Sequence, residues 1–186
     1  MSNMIDALYT ATVDEESCIA FLDIHGFLPI SKGFAQLLNE NPDEIRSRLW
    51  QKLDDILRKS ITKCQPTAIR EVGGDAWLLV FPSADNAILW ALFVIQSVRD
   101  EFMRIKIGID WGAPRLTKGG ALDQSSIMAF KIVEGARKAQ SNQILVTEKV
   151  KEQIQDQSLC ELCRFVGSYK VRFLGKTRLY QVMDGQ

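Results

Sequence analysis

The chain predicts an α+β fold with a ferredoxin-like βαββαβ core, and three observations predict it. A short apolar run, "CIAFLDI" at Cys18–Ile24, is flanked by polar residues and reads as a buried strand. Two long amphipathic segments lie on either side of a strand–turn–strand stretch. An alternating strand, "RIKIGID", then completes the order strand, helix, strand, strand, helix, strand. That is the split βαβ arrangement, a mixed sheet with its helices on one face.

Each element has its own local reason. Residues 31–40 suit a short helix. In "NPDEIRSRLWQKLDDILRKSITK", Asn41-Pro42 and the acids after it make a helix start. Ile45, Leu49, Leu53, Ile56, Leu57 and Ile61 then recur at helical spacing. "TAIREV", Gly73-Gly74-Asp75 and "AWLLVF" read as a hairpin. Ser83 caps a second helix, with Ala87, Ala91, Leu92, Ile95, Val98 and Phe102 on one stripe. Trp77 and Trp90 read as packing aromatics, and Pro114 as a packing residue. Beyond the core come a helix in "SSIMAFKIVEGARKA", a strand at "QILV", a helix over 147–155 and a hairpin in "YKVRFLGKTRLYQV". No repeat or linker divides the chain. Residues 1–17 read as a lead-in and 18–183 as one domain.

Composition narrows the function classes. The 186 residues carry 23 basic and 23 acidic side chains, so no broad attraction to a nucleic-acid backbone is expected. No apolar run reaches the roughly 20 residues of a membrane span. "MSNMIDALYT" lacks the pattern of a secretory signal, so a cytoplasmic protein with reduced thiols is expected. Of the four cysteines, Cys160 and Cys163 form a C-x-x-C pair. A zinc site needs two more ligands, and Cys18, Cys64 and His25 are unpaired in sequence, so small buried or half-buried thiols are the plainer reading.

The chemistry-bearing candidates are two acids. Asp23 ends the first strand, and Asp75 sits in the turn of the hairpin that should lie beside it. Two carboxylates on neighbouring strands suit an oxygen-loving divalent cation, above all Mg²⁺ or Mn²⁺ with the phosphates of a nucleoside triphosphate. The plain alternative is that both are ordinary turn residues. The backbone of Ile24, His25, Gly26 and Phe27, entering a helix, is the natural phosphate cradle.

These residues also carry a resemblance. "IAFLDIHGFLPIS", "IREVGGDAWLLVF", "IKIGIDWG", "NQILVTEKV" and "VGSYKVRFLGKTRLYQV" resemble, in order, segments of the class III adenylyl and guanylyl cyclase catalytic domain. The match runs from about Cys18 to Val182. It implies a nucleotide cyclase-like fold with two metal ions on Asp23 and Asp75. One ion would help ionise the ribose 3′-hydroxyl and the other would grip the triphosphate. It also implies base selection at Glu71 and Asp123. Here a guanine-type glutamate meets an adenine-type aspartate, so no base follows.

The resemblance breaks where the family keeps its transition-state residues. Counting back from Gln143 places the asparagine position at Phe130 and the arginine position at Glu134. Phenylalanine donates no hydrogen bond. A glutamate facing phosphate repels it, by about 4 kcal/mol at 4 Å with an effective dielectric near 20. Arg137 and Lys138, a turn further on, are the alternative cations. Arg172 and Lys176 are weak candidates for the triphosphate-binding lysine. Gly112–Asp123 is short beside the family's dimerisation hairpin, which puts the usual dimer in doubt. Four readings stay open: a cyclase-homology signalling domain inactive alone, the metal-bearing half of a heterodimeric cyclase, a cyclase with altered chemistry, and a non-catalytic scaffold.

Overall fold

The computed structural model describes residues 7–8, 10–11, 13, 15–24, 27–72, 76–99, 103–117, 120–121, 124–135, 142–171 and 174–184. Strand β1 is Ser17–Ile24 and helix α1 is Phe27–Leu38. The long helix α2 is Pro42–Cys64; β2 is Ala68–Val72, β3 is Ala76–Phe81, and α3 is Ala84–Val98. Strand β4 is Ile105–Gly112, and a small hairpin joins β5, Leu116–Thr117, to β6, Gly120–Ala121. Then come α4, Gln124–Gly135, and β7, Gln143–Thr147. Two short helices, α5 at Glu148–Glu152 and α6 at Gln157–Leu162, precede β8, Cys163–Val171, and β9, Gly175–Val182.

Seven strands form one sheet in the order β2-β3-β1-β4-β7-β9-β8. Its first four members reproduce the strand order of the βαββαβ core. β1 pairs antiparallel with both β3 and β4, which explains its continuous apolar run: it has a strand on each side and a layer on each face. The caps are where the sequence puts them. Asn41 accepts a hydrogen bond from the Asp43 amide at 2.9 Å, and Ser83 one from the Asn86 amide at 3.1 Å.

Helices α2 and α3 cover one face of the sheet. Leu53, Leu57 and Ile61 from α2 and Ile88, Trp90 and Ile95 from α3 meet Cys18, Ala20, Leu22 and Ile24 of β1 there. Each leucine and isoleucine among them contributes about 1.5–3 kcal/mol on burial. The Trp90 indole N–H donates to Ser60 Oγ at 2.9 Å, tying the two helices together. Trp77 stacks on Trp50 at 4.5 Å, a packing role as expected.

Not all helices share that face. Ala129 and Val133 of α4 pack against Ile19, Phe21, Leu78 and Val80 on the opposite side. Gly108 makes this possible, since a Cβ there would lie 2.4 Å from the Ala129 carbonyl oxygen. The one-face expectation holds for the core helices and fails for α4.

Three boundaries also differ from expectation. α1 starts at Phe27 rather than 31, with Pro29 in the first turn, where its missing N–H costs nothing. The 147–155 helix stops at Glu152, and a separate helix follows beyond it, where Asp156 caps α6 by accepting from the Ser158 amide at 2.8 Å. β8 begins at Cys163 rather than near Tyr169, with a register shift between Phe165 and Gly167. An edge strand with an exposed face and a bulge lacks the clean alternation that marks a strand.

Candidate functional site

The site is built at the end of β1. Side chains alternate across a strand, so Ile19, Phe21 and Asp23 share the α4 face while Cys18, Ala20, Leu22 and Ile24 take the other. Asp23 is half-buried. It pairs across the sheet with Ala76 of β3 and with Lys106 of β4. Asp75 is the residue before Ala76 in the chain, but residues 73–75 lie outside the described residues. So do His25, Gly26, Asp123, Arg137, Lys138 and Arg172. Ile24 is buried opposite Ile105, and Phe27 opens α1.

Glu71 is exposed near the end of β2, opposite Trp77. Lys176 is exposed on β9 and opposite Lys170, so two like charges face each other there. A half-buried aspartate reaching water at a strand end has the donor chemistry for a hard cation. Among the described residues no group of three or more metal-capable side chains gathers.

Phe130 and Glu134, where the resemblance leads one to expect asparagine and arginine, are engaged within their own chain. Phe130 is 39% exposed and meets Phe21 edge-on, with ring centroids 5.1 Å apart. The Lys131 ammonium lies 5.0 Å above the Phe130 ring and also binds the Glu134 carboxylate. That one lysine serves both side chains. A groove of about 320 Å³ between α2 and α3, lined by Lys63, Asn86, Leu89 and Phe93, lies on the other sheet face from Asp23.

Sequence reasoning missed the polar residues of β4. "RIKIGID" reads as an alternating strand, yet its charged residues Lys106 and Asp110 are both buried, at 2% and 3% exposure. Thr147 Oγ donates to Asp110 at 2.6 Å across to β7. The signal was Gly108 between them, a position that admits a close-packed helix. Arg70 was missed as well: buried on β2, it donates to the Leu8, Ala11 and Ile69 carbonyls at 3.1, 2.7 and 2.6 Å. Burial lowers its pKa. The thiols are free, and burial pushes Cys18 well up, helped by the Asp110 and Asp85 charges.

No protein-family model matches the chain, and no curated sequence matches it. Solved structures do. An adenylate/guanylate cyclase/hydrolase from Silicibacter pomeroyi superposes with a TM-score of 0.72 at 19% identity, over 91% of this chain and 96% of that one. The guanylate cyclase domain of RhGC from Catenaria anguillulae, solved with GTP, gives 0.68 at 20% identity, over 93% and 98%. An adenylate cyclase from Trypanosoma brucei in its monomeric state gives 0.70 at 16% identity, over 90% and 89%. The chain has the fold of adenylate and guanylate cyclase domains, a cyclase-homology architecture over nearly its whole length.

Proposed function

We propose that residues 18–183, with 1–17 as a lead-in, are a class III cyclase-homology domain. In this reading it binds a divalent cation and a nucleoside triphosphate at Asp23 and Asp75 and makes no cyclic nucleotide alone. Phe130 carries the reading. At the position where the resemblance expects an asparagine, an aromatic ring lies against β1 of its own sheet. Glu134, one turn on, has its carboxylate held by Lys131 rather than replaced by a phosphate-binding arginine. Losing even one preorganised donor costs about 10²–10³ in rate.

Asp23 would hold Mg²⁺ or Mn²⁺, which when bound supplies charge neutralisation for the triphosphate. The chain's own parts orient it: β1 fixes the carboxylate, and the start of α1 offers backbone N–H groups to phosphate. No helix among the described residues is long and apolar enough to cross a membrane. We place the domain in the cytoplasm as a signalling partner of another protein.

A second reading is favoured by one observation. Ile127 and Phe130, three residues apart on one side of α4, are 40% and 39% exposed. A cyclase-like partner covering that side, and bringing its own asparagine and arginine, would make this chain the cation-bearing half of a heterodimer.

Purified protein with Mg²⁺ or Mn²⁺ and each nucleoside triphosphate should bind triphosphate by calorimetry and release no cyclic product. Turnover abolished by Asp23→Ala would overturn the inactive reading. Turnover only with an added cyclase-like chain would select the heterodimer. Heat in neither titration would leave a scaffold in which Asp23 and Asp75 close turns.

A further inference from the structure

The closing hairpin breaks the charge balance of the chain. Among 23 basic and 23 acidic residues overall, the segment 163–182 carries Arg164, Lys170, Arg172, Lys176 and Arg178 and no carboxylate. It comprises β8, β9 and the turn between them, with Arg172 outside the described residues. β8 ends the sheet, so one of its edges carries no strand.

Residues paired across two strands share a face. The pairs Phe165–Tyr180, Ser168–Arg178 and Lys170–Lys176 therefore lie on one face of the hairpin. Tyr169, Val171 and Leu179 take the other, against Met128 and Ile132 of α4. At one end of the first face Cys163 and Val182 are buried with Val150 of α5 and Leu159 of α6. Toward the turn it is open: Ser168, Lys170, Lys176 and Arg178 are all exposed. Lys170 and Lys176 face each other with no ion-pair partner among the described residues. Like charges set directly opposite destabilise a sheet, and an anion lying over both removes that cost.

Apolar side chains accompany the cations. Phe165, on the same face, and Val166, at the register shift, are 53% and 52% exposed. The Arg178 guanidinium lies 4.9 Å over the Phe165 ring and donates to Glu148 at 2.8 Å. The Tyr180 ring meets Phe165 edge-on at 5.6 Å. Single-stranded nucleic acid needs open rings on which bases stack. Here one face of the exposed ring holds a guanidinium, and Val166 has no π face. Cations mixed with exposed apolar side chains match a lipid surface, which offers anionic headgroups above an apolar layer.

We propose that this face of the β8–β9 hairpin docks on an anionic lipid bilayer. Lys170, Lys176 and Arg178 meet the headgroups, and Phe165 and Val166 enter the boundary with the acyl chains. The domain lies on the membrane and does not span it.

The test is sedimentation of the full chain with vesicles of phosphatidylcholine alone or mixed with phosphatidylserine. The protein should pellet only with phosphatidylserine. About 0.5 M salt should release most of it, because the screening length falls to about 4 Å. K170Q/K176Q should bind about thirtyfold more weakly. F165S/V166S, which keeps every charge, should lose about tenfold. K59Q/K63Q, changing two exposed lysines of α2, should bind like wild type. Relief of the opposed charges should also raise the urea midpoint of K170Q/K176Q, which shows that this variant folds. Pelleting with both vesicle types or with neither would overturn the proposal, as would equal losses in the two lysine variants. Unchanged binding of F165S/V166S would overturn the insertion of apolar side chains. A fluorescent oligo(dT) strand bound more tightly than the vesicles would refute the lipid assignment and give the face to nucleic acid.

Discussion

Phe130 meets Phe21 edge-on, their ring planes at 83°, and Phe21 lies two residues before Asp23 on β1. In the proposed reading, the helix position at which the resemblance expects an asparagine packs against its own sheet instead. The same relationship links the two halves of the proposal, because one strand carries both the retained acid and the partner of the lost donor.

Phe130→Ala should lower stability by about 1–2 kcal/mol in urea unfolding. The edge-on pair accounts for about 0.5–1.5 kcal/mol and partial burial for the rest. Partial exposure keeps the cost below the 3–5 kcal/mol of a fully buried ring. An unchanged midpoint would show that the ring is not anchored to β1.

Gly108→Ala should destabilise by about 2–4 kcal/mol. The new methyl would meet the Ala129 carbonyl oxygen at 2.4 Å and Val133 Cγ2 at 2.8 Å. A backbone atom cannot rotate aside, so α4 must lift from the sheet, and overpacking of this kind costs 1–3 kcal/mol or more. Thermal unfolding measures the loss. Hydrogen exchange should show it concentrated in 124–135, and a wild-type melting temperature would contradict the close contact.

Thr147→Val keeps the shape of the side chain and removes two bonds. One is the buried donation to Asp110, and the other is the α5 cap, accepted from the Val150 amide at 3.4 Å. The expected cost is about 2–4 kcal/mol, since the Asp110 carboxylate is left with one donor fewer. Thr147→Ser should recover most of it. A Thr147→Val loss no larger than that of Thr147→Ser would show that the hydroxyl is not what the site depends on.

Alkaline stability should follow the thiols. Burial, and then the neighbouring Cys160, push Cys163 up to about 11, against a smaller opposing effect of Lys151. Burial raises Cys64 too. The folded state therefore favours the protonated thiol, and the unfolded state releases its protons first. Stability from this source is intact below the ordinary thiol value near 8.5 and declines as pH rises toward 11. Urea midpoints between pH 8 and 11 check the sign, and a rising trend would refute it. Iodoacetamide at neutral pH should label half-buried Cys160 before Cys18, Cys64 or Cys163.

Much of the architecture was legible along the chain. Asn41-Pro42 and Ser83 announce their helices by local capping. The apolar run at 18–24 announces a strand buried on both faces. The site was legible only in part. Asp23 stands out because a carboxylate ends an apolar run, and Phe130 and Glu134 stand out only against the resembled pattern. Lys106, Arg70 and Asp110 were invisible, because a charged residue in an alternating strand looks the same whether water or a helix covers it.

The sequence by itself determined the order of elements, their caps and the placing of an acid at the end of the first strand. These follow from neighbours within a few positions, where capping, turn chemistry and periodicity act. Only the tertiary structure decided that α4 closes the far face of the sheet, burying Lys106 beside Asp23 and turning Phe130 onto Phe21. Those outcomes depend on which surfaces meet across dozens of residues, and that is a matter of shape and burial that no local pattern encodes.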